Sequence, residues 1–174
     1  DLHCCRIKRS VWEETGITPG ASTDTAYTIG VVGAEHAGEL ATKFQAYQTI
    51  KIKADKQGSL ETIANVRSLR PEARIIIDAN QSWDWQSFGQ FEASLIELDI
   101  SLLEQPFLVG QDACLADYQG PLKIAADESV QTSADLPGLV GKYDVINIKL
   151  DKTGGLTEAL NLARRSMEMG FGLM

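Results

Sequence analysis

The chain has 174 residues, 44% of them apolar and 23% charged, which suits a folded domain with a buried core and excludes a disordered chain. With 24 acidic residues against 16 basic, the net charge of −8 excludes a nucleic-acid-coating role, and no apolar run approaches the roughly 18 residues that span a membrane. The opening DLHCCRIKRS lacks the apolar stretch of a secretory leader, and Cys4, Cys5 and Cys114 form an odd, sparse set, so reduced thiols in a cytoplasmic protein are expected.

From residue 25 onward, short β-branched runs alternate with longer stretches of helical character. TAYTIGVV (25–32) is the first predicted strand, followed by a helix near 35–48. TIKIK (49–53) comes next, then a helix over 59–70 with Leu60, Ile63, Ala64 and Leu69 on one stripe; Gly58 and Ser59 signal its start and Pro71 follows its end. ARIIID (73–78) leads to a helix near 84–98, and ISLLE (100–104) to one near 111–118. LKIAAD (122–127) leads to 133–141, VINIKL (145–150) to 155–169, and FGLM begins a seventh strand. Strands alternating with helices of this length predict βα units and a parallel sheet, hence an α/β fold.

Five of these strands carry an ionisable residue at or next to their ends: Lys53, Asp78, Glu104, Asp127 and Lys149, spaced 22 to 26 residues apart. That period is about one strand, one helix and two short loops. Lone buried charges are costly, so core packing gives no reason to repeat them. In parallel α/β folds, ligands bind at the C-terminal strand ends, and a barrel brings successive ends around one mouth. With TAYTIGVV as the first strand, Lys53 and Lys149 end strands two and six, on opposite sides of an eight-stranded barrel, and the three acids lie on the arc between them.

Three converging carboxylates repel one another unless a cation is bound. Oxygen ligands suit a hard divalent ion, Mg²⁺ foremost, and no His or Cys stands beside them to favour zinc. In TIKIK, Lys51 and Lys53 share one face of the strand, towards the mouth, while Ile50 and Ile52 face the outer helices. Two ammonium groups so close disfavour full protonation, which predicts one lysine poised as a base near neutral pH. Lys149 shares its face with Asn147. A cation flanked by lysines on opposite sides suits inversion of a carbon acid next to a carboxylate: one lysine removes the α-proton to give an enediolate, and the other returns a proton to the opposite face.

The stretches KIK (51–53), IDAN (77–80), LEQP (103–106), AADES (125–129) and INIKLDKTGGLTEAL (146–160) resemble, in order and spacing, the enolase superfamily and its muconate-lactonizing-enzyme branch. The resemblance implies a TIM-type (β/α) barrel, with Asp78, Glu104 and Asp127 as Mg²⁺ ligands and Lys53 and Lys149 as the acid/base pair. It also implies that Lys51 tunes its neighbour and contacts the substrate carboxylate. NIKLDKTGGLTEAL together with TAYTIG looks most like the dipeptide epimerases of the L-Ala-D/L-Glu type, isomerases that invert the α-carbon of a dipeptide's C-terminal residue. Muconate cycloisomerases, o-succinylbenzoate synthases and N-acylamino-acid racemases share these lysines and carboxylates and stay open as alternatives. The implied partner is a small-molecule carboxylate, with no nucleic acid and no membrane; homo-oligomerisation is left open.

An eight-fold barrel needs about 200 to 250 residues, whereas six strands and the start of a seventh are recognisable. The expectation is an incomplete barrel over 21–174 behind a capping-domain tail or linker at 1–20, with the rest of the cap and the last strands missing. An inactive metal-binding fragment is the competing reading. Elsewhere, Gly154-Gly155 suits either a tight turn or an anion at a helix start. Trp83 and Trp85 either cover the mouth or pack on an outer helix, Cys114 reads as a packing residue, and His3 and His36 as surface residues.

Overall fold

The computed structural model describes residues 2–18, 20, 22–57 and 59–174. Seven parallel strands pair in chain order: β1 (Ala26–Ile29), β2 (Thr49–Lys53), β3 (Arg74–Asp78), β4 (Leu102–Glu104), β5 (Ile124–Ala126), β6 (Val145–Ile146) and β7 (Gly172–Leu173). Two short N-terminal helices precede them, α1 (Leu2–Ile7) and α2 (Val11–Thr15), the second opened by a capping box between Ser10 and Glu13. The crossovers carry α3 (Ala34–Lys43), α4 (Leu60–Leu69), α5 (Trp85–Glu97) and α6 (Leu156–Glu168). This is an α/β half-barrel of the TIM type. Among the described residues no helix is long and apolar enough to cross a membrane.

Two predicted helices differ. The stretches near 111–118 and 133–141 form only 3₁₀ turns, Ala113–Asp117 and Leu136–Gly138. In the second, Pro137 lies in the first turn, where its missing N–H costs no bond, and Gly138, a poor helix former, follows it. The start of α4 lacks a side-chain cap, since Ser59 sits in the left-handed region at φ 53°, and Gly58 lies outside the described residues. Gly154 (φ 71°) and Gly155 (φ 139°) form the turn into α6 in a conformation that side chains with a Cβ rarely adopt, which accounts for the glycine pair as turn chemistry.

Alternation along the strands sorts the two faces of the sheet. Ile50, Ile52, Ile75, Ile77, Leu103, Ile124 and Ile146 point outward and pack with Ala37, Ala41, Ile63, Val66, Phe88, Leu95 and Leu162 of the helices. Burying each large aliphatic side chain contributes about 1.5–3 kcal/mol. The opposite face holds a smaller apolar cluster, Ile76, Leu102 and Ala125, with Val145 and Met174 against it. Above this inner cluster, towards the C-terminal strand ends, the same face turns charged. Lys53 stands opposite Asp78 and Asp78 opposite Glu104, but Glu104 stands opposite Ala125 and Ala125 opposite Val145. Asp127 and Lys149 therefore project progressively beyond that row, which is the stagger of a barrel sheet.

Candidate active site

Asp78 and Glu104 are the last residues of β3 and β4, and both are fully buried. Lys51 reaches up from the layer below them: its Nζ lies 2.7 Å from Asp78 Oδ2 and 2.6 Å from Glu104 Oε2. Lys53 Nζ also donates to Asp78 Oδ2, at 2.7 Å, and to Asn80 Oδ1 at 2.6 Å. Across the mouth, Lys149 pairs with Asp127 Oδ2. Lys152 Nζ donates to Asp127 Oδ1 (2.6 Å), Asp127 O (2.6 Å) and Asn147 O (2.9 Å). Asn147 Nδ2 completes the ring by donating to Glu104 Oε1 at 2.8 Å.

The lysines divide by accessibility. Lys53 and Lys149 keep 32% and 40% of their side chains exposed, whereas Lys51 keeps 13%, so only the first two face the open mouth freely. Burial would lower the Lys51 ammonium, but Asp78 and Glu104 outweigh it and raise its pKa above the ordinary lysine value. Lys149 is raised in the same way, with Asp127 overcoming burial. The neighbouring-ammonium argument for Lys51 and Lys53 predicted depression of one of them; for Lys51 the two carboxylates beside it reverse that sign. Burial and then the Asp78 charge raise the Glu104 carboxyl, against the pull of Lys51 and Asn147. For Asp127, burial is opposed and exceeded by Lys149 and Lys152, which hold its carboxyl below the usual value.

All six residues singled out from the sequence thus lie at one end of one sheet. The three acids do not meet at a point: among the described residues no three His, Cys, Asp or Glu side chains stand close enough to ligate one ion. Ammonium groups occupy the spaces instead, Lys51 between Asp78 and Glu104, and Lys149 and Lys152 on Asp127. The donor set nevertheless fits a hard cation. It offers oxygen only, and Asp78 Oδ2, Glu104 Oε2 and both Asp127 carboxylate oxygens each face a lysine ammonium, positive charge of the kind a hard divalent ion would supply in its place.

Lys152, Gln105 and Asn80 were not singled out from sequence. Lys152 and Gln105 lie just outside the strand-end positions, so the strand-end pattern passes over them. Asn80, Gln81 and Gln105 adopt left-handed backbone, at φ 43°, 63° and 38°, immediately after the acids of β3 and β4. Trp83 is buried and donates its Nε1–H to Asp55 O at 2.7 Å, tying the loop after β2 to the loop after β3; Trp85 is exposed and stacks on Phe88. Cys114 is partly buried against the core, and His3 and His36 are exposed beside Glu14 and Glu39, as expected of packing and surface residues.

The chain is 40% identical over its full length to an L-Ala-D/L-Glu epimerase of Escherichia coli (strain K12), covering 55% of that protein. It is 36% identical over 86% of its length to an N-acetyl-D-glutamate racemase of Pseudoalteromonas sp., covering 47%. The chain therefore spans about half the length of the curated relatives it matches. Among solved structures, an enolase family member from Agrobacterium tumefaciens with bound sodium and L-Ala-L-Glu aligns over the whole chain and 53% of its own, with TM-score 0.92 and 40% identity. A dipeptide epimerase from Methylococcus capsulatus complexed with Mg aligns over 87% of this chain and 46% of its own, with TM-score 0.80 and 30% identity. The family model described as enolase C-terminal domain-like matches residues 34–174, a span that takes in every strand from β2 to β7. On that match, the chain belongs to the enolase C-terminal domain-like family.

Proposed function

We propose that this chain carries the metal-binding and proton-transfer machinery of a cytoplasmic Mg²⁺-dependent epimerase acting on a dipeptide of the Ala-Glu type. The observation that carries the reading is the pair of accessible lysines on β2 and beyond β6, four strands apart, with three strand-end carboxylates on the arc between them. Asp78, Glu104 and Asp127 hold the ion in this reading. When bound, Mg²⁺ supplies positive charge against the substrate carboxylate and lowers the cost of the negative charge that builds as the α-proton leaves. Once Asp78 and Asp127 are engaged, the carboxylates that now hold the Lys53 and Lys149 ammonium groups are withdrawn from them. Lys53 then exchanges a proton with the α-carbon on one face and Lys149 on the other, so removal by one and return by the other inverts the centre. Lys51, anchored below, keeps a fixed positive charge beside the substrate carboxylate. Residues 1–20 belong, in this reading, to a capping domain or linker and residues 21–174 to the barrel.

The test is exchange of the substrate α-proton with solvent deuterium, with Mg²⁺ and L-Ala-L-Glu or L-Ala-D-Glu. Lys53→Met is expected to abolish exchange from one epimer and largely spare the other, and Lys149→Met to show the reverse preference. Equal loss from both epimers in both variants overturns the two-base assignment. The 36% identity to an N-acetyl-D-glutamate racemase favours one second reading, an N-acylamino-acid racemase using the same residues. Faster exchange with N-acetylglutamate than with the dipeptide would select it.

A further inference from the structure

Asp78 and Glu104 are held by the strand ladder itself, because each is the last paired residue of its strand. Asp127 is not: β5 ends at Ala126, and the next residue leaves the ladder. A side chain from the residue just past β4 supplies the missing backbone partner. Gln105 Oε1 accepts from Asp127 N at 2.9 Å and from Ser129 N at 3.1 Å. Its Nε2 donates to Phe107 O at 2.9 Å and to Ser129 Oγ at 2.8 Å, with Tyr143 OH at 3.4 Å. The amide orientation is forced, since two N–H donors face the oxygen and a carbonyl faces the nitrogen.

The main chain of Gln105 is fixed as well. Its N–H bonds to Ala125 O of β5 at 2.9 Å, and its carbonyl accepts from Gln81 N, past β3, at 2.7 Å. The residue is wholly buried, and φ 38° is a conformation that costs a non-glycine residue free energy. One side chain with its hydrogen-bonding positions filled therefore sets where Asp127 begins relative to Glu104, its own chain neighbour.

We infer that Gln105 is a positioning residue for Asp127, fixing the spacing between two carboxylates of the metal site; this rests on the proposed Mg²⁺ reading. Groups that orient first-layer ligands typically contribute 10–100-fold in metal affinity. The test is calorimetric titration of the full chain with MgCl₂. Gln105→Met, similar in length but without the amide, is expected to weaken Mg²⁺ binding by about 10–100-fold. Gln105→Glu, which keeps the oxygen facing Asp127 N but turns a second oxygen onto Phe107 O, should bind more tightly than Gln105→Met and more weakly than the wild type. Val66→Ala, a core change in α4 remote from the mouth, controls for general destabilisation and should leave the affinity unaltered. Should Gln105→Met fail to fold, Ser129→Ala removes one acceptor of Nε2 and should weaken binding between about twofold and tenfold. Wild-type affinity in folded Gln105→Met, or in Ser129→Ala where it stands in, overturns the positioning role and leaves the metal reading standing. Absence of Mg²⁺ uptake by the wild type removes the metal reading and the role of Gln105 with it.

Discussion

Arg70 illustrates how single polar side chains hold this fold together away from the mouth. It is 5% exposed at the end of α4; its Nη1 donates to Ala41 O at 2.9 Å, its Nη2 to Tyr47 O at 2.8 Å, and its Nε to Glu72 Oε1 at 2.6 Å. Ala41 lies in the last turn of α3 and Tyr47 on the stretch joining α3 to β2, so the guanidinium fastens the crossover that delivers Lys51 and Lys53. Lysine cannot reproduce the planar fork. Arg70→Met removes the donors while keeping much of the apolar stem, and leaves two carbonyls without that partner. The expected cost is about 2–4 kcal/mol, read as a lower urea midpoint with an unchanged slope. A loss below about 0.5 kcal/mol would mean that water replaces the guanidinium without penalty.

At the scale of elements, two helix glycines separate propensity from packing. A Cβ at Gly89, inside α5, meets nothing within 4 Å, whereas one at Gly38 in α3 falls 2.5 Å from Asn65 Nδ2 and 2.7 Å from Leu69 Cδ1. Asn65 is held there by its own bond to Ala34 O at 2.6 Å, so α3 and α4 approach closely because residue 38 has no side chain. Gly89→Ala should stabilise the chain by about 0.5–1 kcal/mol, and Gly38→Ala should gain nothing or lose stability. Thermal unfolding of both variants decides it; equal gains would show that the helix crossing relaxes freely. The same distinction marks what the amino-acid pattern makes legible. TIKIK and ARIIID read as strands because alternation or a β-branched run specifies burial, and their spacing predicts the parallel order and the row of strand-end charges. The turns at Ala113–Asp117 and Leu136–Gly138 are 3₁₀ rather than α-helical, which a helical pattern alone does not register. Lys152 and Gln105 escape notice for another reason: each acts through carbonyls and N–H groups on a different loop, and those positions follow from tertiary register and left-handed residues rather than from local pattern.

For the whole molecule, the site is a local balance inside a chain of net charge −8. Three buried acids are matched by four lysines, so the folded chain holds its carboxylates with internal cations, and a divalent ion at the proposed site would have to take their place. An ion that binds only the folded chain stabilises it by an amount fixed by its concentration over Kd, about 2.7 kcal/mol at 100-fold excess. At about 2–4 °C per kcal/mol for a chain of this size, Tm should climb by roughly 5–11 °C between EDTA and saturating MgCl₂. Surface screening gives a different signature, because it responds to ionic strength whatever the salt. Sodium chloride at matched ionic strength should therefore leave most of that rise absent. Asp127→Asn should flatten the Mg²⁺ response, since it removes the carboxylate that Lys149 and Lys152 hold ready. A Tm that tracks ionic strength alone, equally in wild type and Asp127→Asn, would mean that the lysines neutralise the acids permanently and that no divalent ion displaces them.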